Sequence, residues 1–137
     1  MIVFNNKLFT GYPVAYFFDG DKWTYAGQPF DYDNGGLQLY CFAAHQGKLC
    51  VGSWPEGKVA VYQGGEDWRE IGRLGEDGTE VNGLVVYNGK LYGGTLPRAE
   101  VCRYDGDSKW TSLKRFYSPG GWTVSYTHLT LPTILRV

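Results

Sequence analysis

A segment of about 42 residues occurs three times along this chain of 137 residues. The lysine that recurs in each copy lies at Lys7, Lys48 and Lys90, at intervals of 41 and 42 residues. The tryptophan that recurs lies at Trp23, Trp68 and Trp110, at intervals of 45 and 42 residues. A fixed period of this length is typical of proteins built from stacked, structurally equivalent units. The repeat therefore predicts three similar units that pack against their neighbours.

Each unit contains the pattern of four short strands. In the third unit, residues 83–87 and 90–95 flank Asn88-Gly89, a two-residue hairpin turn in which both positions tolerate a positive φ. Residues 100–104 and 109–113 follow, and we place the second hairpin turn at Asp105-Gly106. The other units carry equivalent turn sequences at Asn5-Asn6, Asp19-Gly20, Gln46-Gly47 and Gln63-Gly64-Gly65. The chain is therefore predicted to be all-β, with one four-stranded antiparallel sheet in each unit.

The composition agrees with a folded, turn-rich β protein. The chain has 20 glycines, 17% aromatic residues and 43% hydrophobic residues. Its net charge of −1 argues against a nucleic-acid partner, which selects basic surfaces. No run of 18 apolar residues occurs, so we also expect no membrane partner. The cellular location is left open.

The recurring apolar residues have a common explanation in packing between the units. The leucines predicted to point into the interface between sheets are Leu8, Leu49 and Leu91. The glycines predicted to allow close approach of a neighbouring unit are Gly11, Gly52 and Gly94. The recurrent tryptophans are large enough to fill the gap between adjacent units, with Tyr62 and Tyr104 packed beside two of them.

In two units a tryptophan follows a tyrosine by six residues, at Tyr62 and Trp68 and at Tyr104 and Trp110. This spacing and the double glycine Gly93-Gly94 resemble the kelch repeat. The resemblance covers nearly all of residues 2–116, although the first two units lack the double glycine. It implies β-propeller blades in a ring that commonly has six or seven blades. Three blades form only part of such a ring. We therefore expect an incomplete propeller over residues 1–123, with blades at about 1–36, 37–79 and 80–123.

Residues 124–133, with the sequence VSYTHLTLPT, resemble a translated sequencing adapter. We expect residues 124–137 to be a non-native read-through tail, which is excluded from reasoning about the fold. On this interpretation the chain is a fragment of a longer protein.

A search for catalytic and metal-binding patterns gives few candidates. Cys41, Cys50 and Cys102 form no CxxC pair and are interpreted as small buried hydrophobic residues. His45 is the only histidine outside the tail and is predicted to be an exposed turn residue. No phosphate-binding or dinucleotide-binding motif is present in the sequence. We therefore predict no catalytic residues, no metal site and no cofactor in this chain.

A proline follows a bulky residue at the turn between the second and third strands of every unit, at Tyr12-Pro13, Trp54-Pro55 and Leu96-Pro97. In a four-stranded blade this turn emerges on the same face as the connection to the next blade. The residues predicted to bind a ligand on this face are Tyr12, Trp54, Glu56, Arg98, Asp31 and Asp33. We expect Leu96, Glu76 and Asp77 to lie beside them.

Two functions are compatible with this face. Exposed aromatic rings beside carboxylates and an arginine suit a sugar or a protein loop, which predicts a non-catalytic module with a protein or glycan partner. The alternative is a fragment of a carbohydrate-active propeller enzyme, such as a glycosidase, a lyase or a protein similar to galactose oxidase. In that case most catalytic residues would lie in other blades. The acidic loops around Asp31 and Glu76 would be its candidate carboxylates. The absence of a catalytic cluster favours the binding module.

Overall fold

The computed structural model describes residues 1–31 and 36–116, which form three four-stranded antiparallel sheets with no helix. Blade 1 contains β1 (Ile2–Phe4), β2 (Lys7–Gly11), β3 (Ala15–Phe18) and β4 (Trp23–Tyr25). Blade 2 contains β5 (Gln38–His45), β6 (Lys48–Trp54), β7 (Lys58–Gly64) and β8 (Asp67–Arg73). Blade 3 contains β9 (Glu80–Tyr87), β10 (Lys90–Leu96), β11 (Glu100–Gly106) and β12 (Lys109–Arg115).

The strands of each blade lie side by side in chain order, as predicted for up-and-down blades. The first strands of blades 2 and 3 pack closely, whereas their fourth strands diverge. This arrangement is that of consecutive propeller blades in an incomplete ring, and it confirms the predicted fold class. The strands lie within the proposed ranges 1–36, 37–79 and 80–123, whose exact limits stay predictions. The tail lies outside the described residues.

The first hairpin of each blade turns as the sequence predicts. Asn88 and Gly89 have φ values of 47° and 73°, which places both in the left-handed region. The equivalent turns at Asn5-Asn6 and Gln46-Gly47 also have positive φ at both positions. The hairpin placed at Asp105-Gly106 is wrong by two residues, because β11 continues to Gly106 and the turn residues are Asp107 and Ser108.

A β-bulge interrupts the first strand of blades 2 and 3, and in blade 3 the strand is longer than predicted. In blade 2, Leu39 pairs with Ser53 and Cys41 pairs with Gly52, so Tyr40 is the extra residue. In blade 3 the same irregularity lets pairing resume at Val81, and β9 begins at Glu80 rather than at residue 83. A search of the sequence for alternating apolar residues does not detect the bulge, because the extra residue breaks the alternation.

Blade 2 is buried on both faces, because successive side chains of a strand point to opposite sides. Leu49 and Val51 of β6 belong to the core shared with blade 1, whereas Cys50 between them belongs to the core shared with blade 3. In β7, Ala60 faces blade 1 and Val61 faces blade 3. The protein therefore has two cores, and each lies between neighbouring sheets.

The burial of the recurrent leucines shows which blade faces are covered by a neighbouring blade. Leu49 and Leu91 are completely buried, and each faces the preceding blade, as predicted. Leu8 occupies the same position in blade 1 and is only half-buried. No described residue covers that side of blade 1.

Two of the recurrent glycines allow the close approach of the next blade. A Cβ atom added to Gly52 would lie 2.6 Å from Cγ1 of Val81, a buried residue of β9 in blade 3. A Cβ atom on Gly11 would lie 2.8 Å from Cδ1 of Leu39, at the equivalent place between blades 1 and 2. Both contacts are too short for a real side chain, which confirms the predicted role of these two glycines.

The tryptophans join neighbouring blades by hydrogen bonds as well as by packing. The indole N–H of Trp68 donates to the carbonyl of Ala26 at 2.6 Å, and that of Trp110 donates to Ile71 at 2.8 Å. In each case the acceptor lies three residues after the tryptophan of the preceding blade. Trp23 has no preceding blade among the described residues and is 54% exposed.

The tyrosines beside these tryptophans are placed as expected. The ring centroids of Tyr62 and Trp68 are 4.9 Å apart, and those of Tyr104 and Trp110 are 5.1 Å apart. The Tyr62 hydroxyl donates to the carbonyl of Gly65 at the edge of the sheet. The equivalent pair in blade 1 is formed by Phe18 and Trp23.

All three cysteines are free, and they pack between blades 2 and 3. Burial raises the pKa of the Cys41 thiol to about 12 and the pKa values of Cys50 and Cys102 to about 11. The Cys41 thiol donates to the carbonyl of Val81 in the next blade. The thiols are therefore held protonated, as expected for small core residues rather than nucleophiles.

We expect Gly52→Ala to lower the free energy of unfolding by about 1–3 kcal/mol, because its methyl group overpacks the contact with Val81. Urea unfolding followed by fluorescence measures the change. Val86→Ala, at a side chain that is 39% exposed, is the control and should cost less. Equal destabilisation by both variants would contradict the role assigned to Gly52.

We expect the three thiols of the folded protein to react slowly with a maleimide at pH 8, since each is both protonated and shielded. In denaturant all three should react at the rate of free cysteine. Mass spectrometry of samples quenched at intervals measures both rates. Rapid labelling of Cys41 without denaturant would show that the contact between blades 2 and 3 is open.

Candidate functional site

The loop face is the surface formed by the turns between the second and third strands of the blades and by the connections between blades. Each of its three turns contains a cis proline, at Pro13, Pro55 and Pro97. Backbone hydrogen bonds tie each turn to the chain that leaves the fourth strand of the same blade. The amide of Leu74 donates to Gly57, and the amide of Phe116 donates to Ala99. The loop face is thus built on the rigid ends of the sheets.

The bulky residues before the prolines differ in exposure. Tyr12 is 65% exposed. Trp54 is half-buried, and Leu96 is only 9% exposed. The expectation that Leu96 lies at the surface is therefore wrong, because β10 extends to this residue and pairs it with Glu80. Repetition of a sequence position did not give the three side chains the same environment.

Two of the predicted acidic residues lie on the connection between blades 1 and 2. Asp31 is exposed, at the end of the first described segment. Asp33 lies outside the described residues. The remainder of this connection is anchored by Phe30 and Leu37, which are both buried in the core between these blades.

Glu56 is paired within its own blade. Its Oε2 atom lies 2.6 Å from the Nζ atom of Lys58, which also lies 3.4 Å from Glu70. The hydrogen bond to Glu56 raises the pKa of Lys58. Glu56 therefore presents a neutralised pair to a ligand rather than a free carboxylate.

Arg98 lies on the loop face as predicted, where it binds the carboxylate of Asp77. Its Nε atom donates to Oδ2 of Asp77 at 2.9 Å, and Arg115 donates to the other oxygen at 3.3 Å. The hydrogen bond from Arg98 lowers the pKa of Asp77, with a smaller contribution from the charge of Arg115. Asp77 is thus held as a carboxylate and is unsuited to donate a proton.

Arg115 continues this network to a buried carboxylate that the sequence analysis missed. Glu100 is 2% exposed, and its Oε1 atom accepts a hydrogen bond from Ser112. Its Oε2 atom lies 3.3 Å from Nε of Arg115 but accepts no hydrogen bond from the described residues. No sequence pattern pointed to this residue, since an acidic residue that begins a strand usually faces solvent.

An open cavity of about 530 Å³ lies beside this network, between blades 2 and 3. It is lined by Arg73, Gly75, Glu76, Glu100, Trp110, Ser112 and Arg115. The guanidinium of Arg73 is held by two hydrogen bonds to the carbonyl of Gly78. The cavity therefore has a polar wall of fixed shape with charges of both signs.

Tyr40 and Glu80 form a second group that the sequence analysis did not select. They belong to β5 and β9, the first strands of blades 2 and 3, which pack on each other. The bulge leaves Tyr40 unpaired, and its side chain is 44% exposed. Burial raises the pKa of Tyr40, and the charge of Glu80 and the phenol of Tyr12 raise it further. Tyr40 follows Leu39, whose Cδ1 atom would lie 2.8 Å from a Cβ atom on Gly11 of blade 1, and β5 packs on β9, which begins at Glu80. Burial also raises the pKa of Glu80.

His45 is not the exposed turn residue that we expected. It is half-buried, and its Nε2 atom lies 3.1 Å from the carbonyl of Gly89 in blade 3. Its ring also meets the ring of Tyr104 edge-on at 6.5 Å. His45 thus joins two blades, at the end of the sheets away from the loop face.

Within residues 1–31 and 36–116, no group of three or more histidine, cysteine or acidic side chains is arranged to hold a metal ion. The same part of the chain contains no helix that could span a membrane.

The fold defines this chain as part of a β-propeller, and the loop face is its candidate binding surface. Comparison with known protein families and with curated proteins gives no match. The assignment to this class therefore rests on the fold, that is, on the three four-stranded sheets.

We expect Asp77→Asn to reduce the sensitivity of the protein to acid. Because the pKa of Asp77 is lowered in the folded state, its ion pairs stabilise the protein above the ordinary value of 3.8 and are lost as the pH falls below it. Urea midpoints at pH 7 and pH 3 measure the loss, which should be smaller in the variant. The control, Asp21→Asn at an exposed turn residue, should lose as much as the unchanged protein.

Proposed function

We propose that this chain is part of a non-catalytic, kelch-like propeller module that binds a glycan through its loop face. The observation that carries the proposal is the exposure of Tyr12 and Tyr40 on neighbouring blades, close to where β5 packs on β9, which begins at Glu80. Exposed tyrosine rings offer flat apolar surfaces to the C–H faces of a sugar, and a nearby carboxylate can accept hydrogen bonds from its hydroxyl groups.

The sequence left a protein and a glycan open as ligands, and the chemistry of the face favours the glycan. A protein-binding centre typically has large aromatic anchors that become fully buried. Here Trp54 is already half-buried within the blade, and Leu96 belongs to the interior. What is exposed is tyrosine with polar neighbours, which suits a hydroxylated ligand.

The charges of the loop face support binding rather than catalysis. Glu56 is neutralised by Lys58, and Asp77 is bound by two arginines. General acid catalysis needs a carboxyl group that is protonated near neutral pH, and the lowered pKa of Asp77 is the opposite of this condition. These pairs fix the shape and polarity of the surface.

The second candidate is a carbohydrate-active enzyme, and one observation favours it. Burial raises the pKa of Glu80, the direction required of a general acid in glycoside hydrolysis. On this alternative Glu80 would protonate the leaving-group oxygen, while a second carboxylate would come from another blade.

Glycan binding is tested by screening the protein on immobilised oligosaccharides and then titrating the best ligand in a calorimeter. We expect Tyr12→Ala and Tyr40→Ala each to weaken binding by about tenfold, which corresponds to about 1.4 kcal/mol. Tyr87→Ala is the matched control, because Tyr87 is 66% exposed but lies at the opposite end of its blade. Equal effects of all three variants, or no binding to any glycan, would contradict the proposal.

Glu80→Gln separates the two candidates. A binding module should keep its affinity within a few-fold and release no product from its ligand. An enzyme that uses Glu80 as its acid should keep its affinity but lose about 10²–10⁴-fold in turnover. Chromatography of the glycan after prolonged incubation with each protein distinguishes these results.

A further inference from the structure

The outer edges of blades 2 and 3 enclose a polar cavity of about 530 Å³ that the proposed function does not use. The first strands of these blades pack closely while the fourth strands diverge, so a wedge opens between β8 and β12. Tyr40 and Glu80 belong to first strands, at the opposite edge of the sheets. The cavity is therefore separate from them, and its volume lies within the range of about 300–1,000 Å³ that is usual for small-molecule sites.

Glu100 in this cavity departs from the repeat. It pairs with Arg115 across the sheet, and the equivalent pair in blade 2 is Lys58 with Arg73. Lys58 is partly exposed between two acidic side chains, whereas Glu100 is 2% exposed. A buried carboxylate costs free energy unless it is paired and hydrogen-bonded. The fold does not need this charge, since blade 2 forms the same sheet with a lysine in its place.

One oxygen of the Glu100 carboxylate has no hydrogen-bond donor among the described residues. Oε1 accepts from Ser112, whereas Oε2 lies 3.3 Å from Nε of Arg115 without forming a hydrogen bond. Gly75 leaves space for this oxygen, because a Cβ atom there would lie 2.5 Å from it. Oε2 is itself buried, and the neighbouring Arg115 side chain, which is 41% exposed, has room to move aside as a donor enters. Buried polar atoms are nearly always hydrogen-bonded, so the cavity lacks one donor that the described chain does not supply.

Arg73 supplies hydrogen-bond donors to the same cavity. Its Nε and Nη2 atoms both donate to the carbonyl of Gly78, which fixes the orientation of the guanidinium. Of the described residues, none accepts a hydrogen bond from Nη1, and none forms an ion pair with Arg73. The second edge of the guanidinium, with Nη1 and Nη2, is therefore available for two parallel hydrogen bonds to a ligand.

The balance of charges in the lining indicates the class of ligand. Arg73 and Arg115 are matched by two glutamates, Glu76 and Glu100, so an ion of either sign would meet groups of like charge. A hydroxyl group accepts from a guanidinium and donates to a carboxylate, so it satisfies both kinds of group. Trp110 adds an aromatic surface to the same lining, and the C–H face of a sugar ring packs on such a surface.

We propose that this cavity binds one neutral sugar ring and is a second ligand site of the protein. Hydroxyl groups of the sugar accept from Arg73, another hydroxyl donates to Oε2 of Glu100, and the ring packs against Trp110. This chemistry recognises a free monosaccharide and a ring within a glycan equally. The site uses neither Tyr12 nor Tyr40, so it does not rest on the proposed function of the loop face.

The proposal is tested by NMR titration of the isotope-labelled full chain, in which each tryptophan indole N–H gives its own signal. The probes are neutral monosaccharides and their methyl glycosides, and we expect at least one to shift the Trp110 signal until it saturates. The Trp68 signal is the internal control, because Trp68 makes the same hydrogen bond between blades but does not line this cavity. Binding of the methyl glycosides supports a ring within a glycan, whereas binding of free sugars alone supports a monosaccharide ligand.

Two substitutions test the assigned contacts. Arg73→Met removes the donors at similar length and should weaken sugar binding about tenfold. Glu100→Gln keeps the size of the side chain, removes one acceptor oxygen and should have an effect of the same order. Arg69→Met, at an exposed arginine near the other end of β8, is the matched control and should leave the affinity unchanged. If Glu100→Gln does not fold, Arg73→Met still tests the proposal, since Arg73 is exposed.

Several results overturn the proposal. The first is the absence of a saturable shift with any of these sugars. The second is a shift of the Trp68 signal as large as that of Trp110, which would show a general effect of sugar on the protein. Unchanged affinity in Arg73→Met would contradict the assigned contact. Binding of free amino acids in place of sugars would show that the ligand is a zwitterion, which also overturns it.

The double variant Tyr12→Ala, Tyr40→Ala separates this site from the loop face. We expect the sugar to shift the Trp110 signal of this variant as it does in the unchanged protein. Loss of the shift would show that the cavity is no independent site, and would overturn the inference. A retained shift in a protein whose loop face binds no glycan would contradict only the proposed function.

Discussion

Packing of one blade on the next is the interaction on which the rest of this structure depends. A four-stranded sheet alone has no interior, so its apolar side chains become buried only when a neighbouring sheet covers them. The sheets come close enough because Gly11 and Gly52 lack side chains where Leu39 and Val81 approach. The tryptophans add an indole hydrogen bond that fixes the position of each sheet along its neighbour.

The same packing creates the candidate site. The packing of β5 on β9 brings Tyr40 of blade 2 to the end of blade 3 that begins at Glu80, and Tyr12 of blade 1 follows Gly11, which approaches Leu39 beside Tyr40. None of these residues forms a site within its own blade. The bulge that leaves Tyr40 unpaired has an equivalent in blade 3 and is a recurrent irregularity of the first strand. A ligand that contacts all three residues would also hold the blades together.

The loop face is polar, and two of its carboxylates, Glu56 and Asp77, are held in ion pairs. Lys58, Arg98 and Arg115 each bind acidic residues, and Arg115 joins half-buried Asp77 to buried Glu100. Such pairs add little stability while they are exposed to solvent. They orient donors and acceptors in advance, so a polar ligand meets a surface that needs little rearrangement.

The sequence by itself determined the number of blades, the four strands in each and the first hairpin turns, because these follow from local preferences repeated three times. It also assigned Tyr12 and Arg98 to the turns between the second and third strands, and their role in binding stays a prediction. Only the tertiary structure decided the environment of Leu96, the exposure of Tyr40 and the burial of Glu100. These depend on strand register and on the neighbouring blade, and neither is encoded in the local spacing of residues.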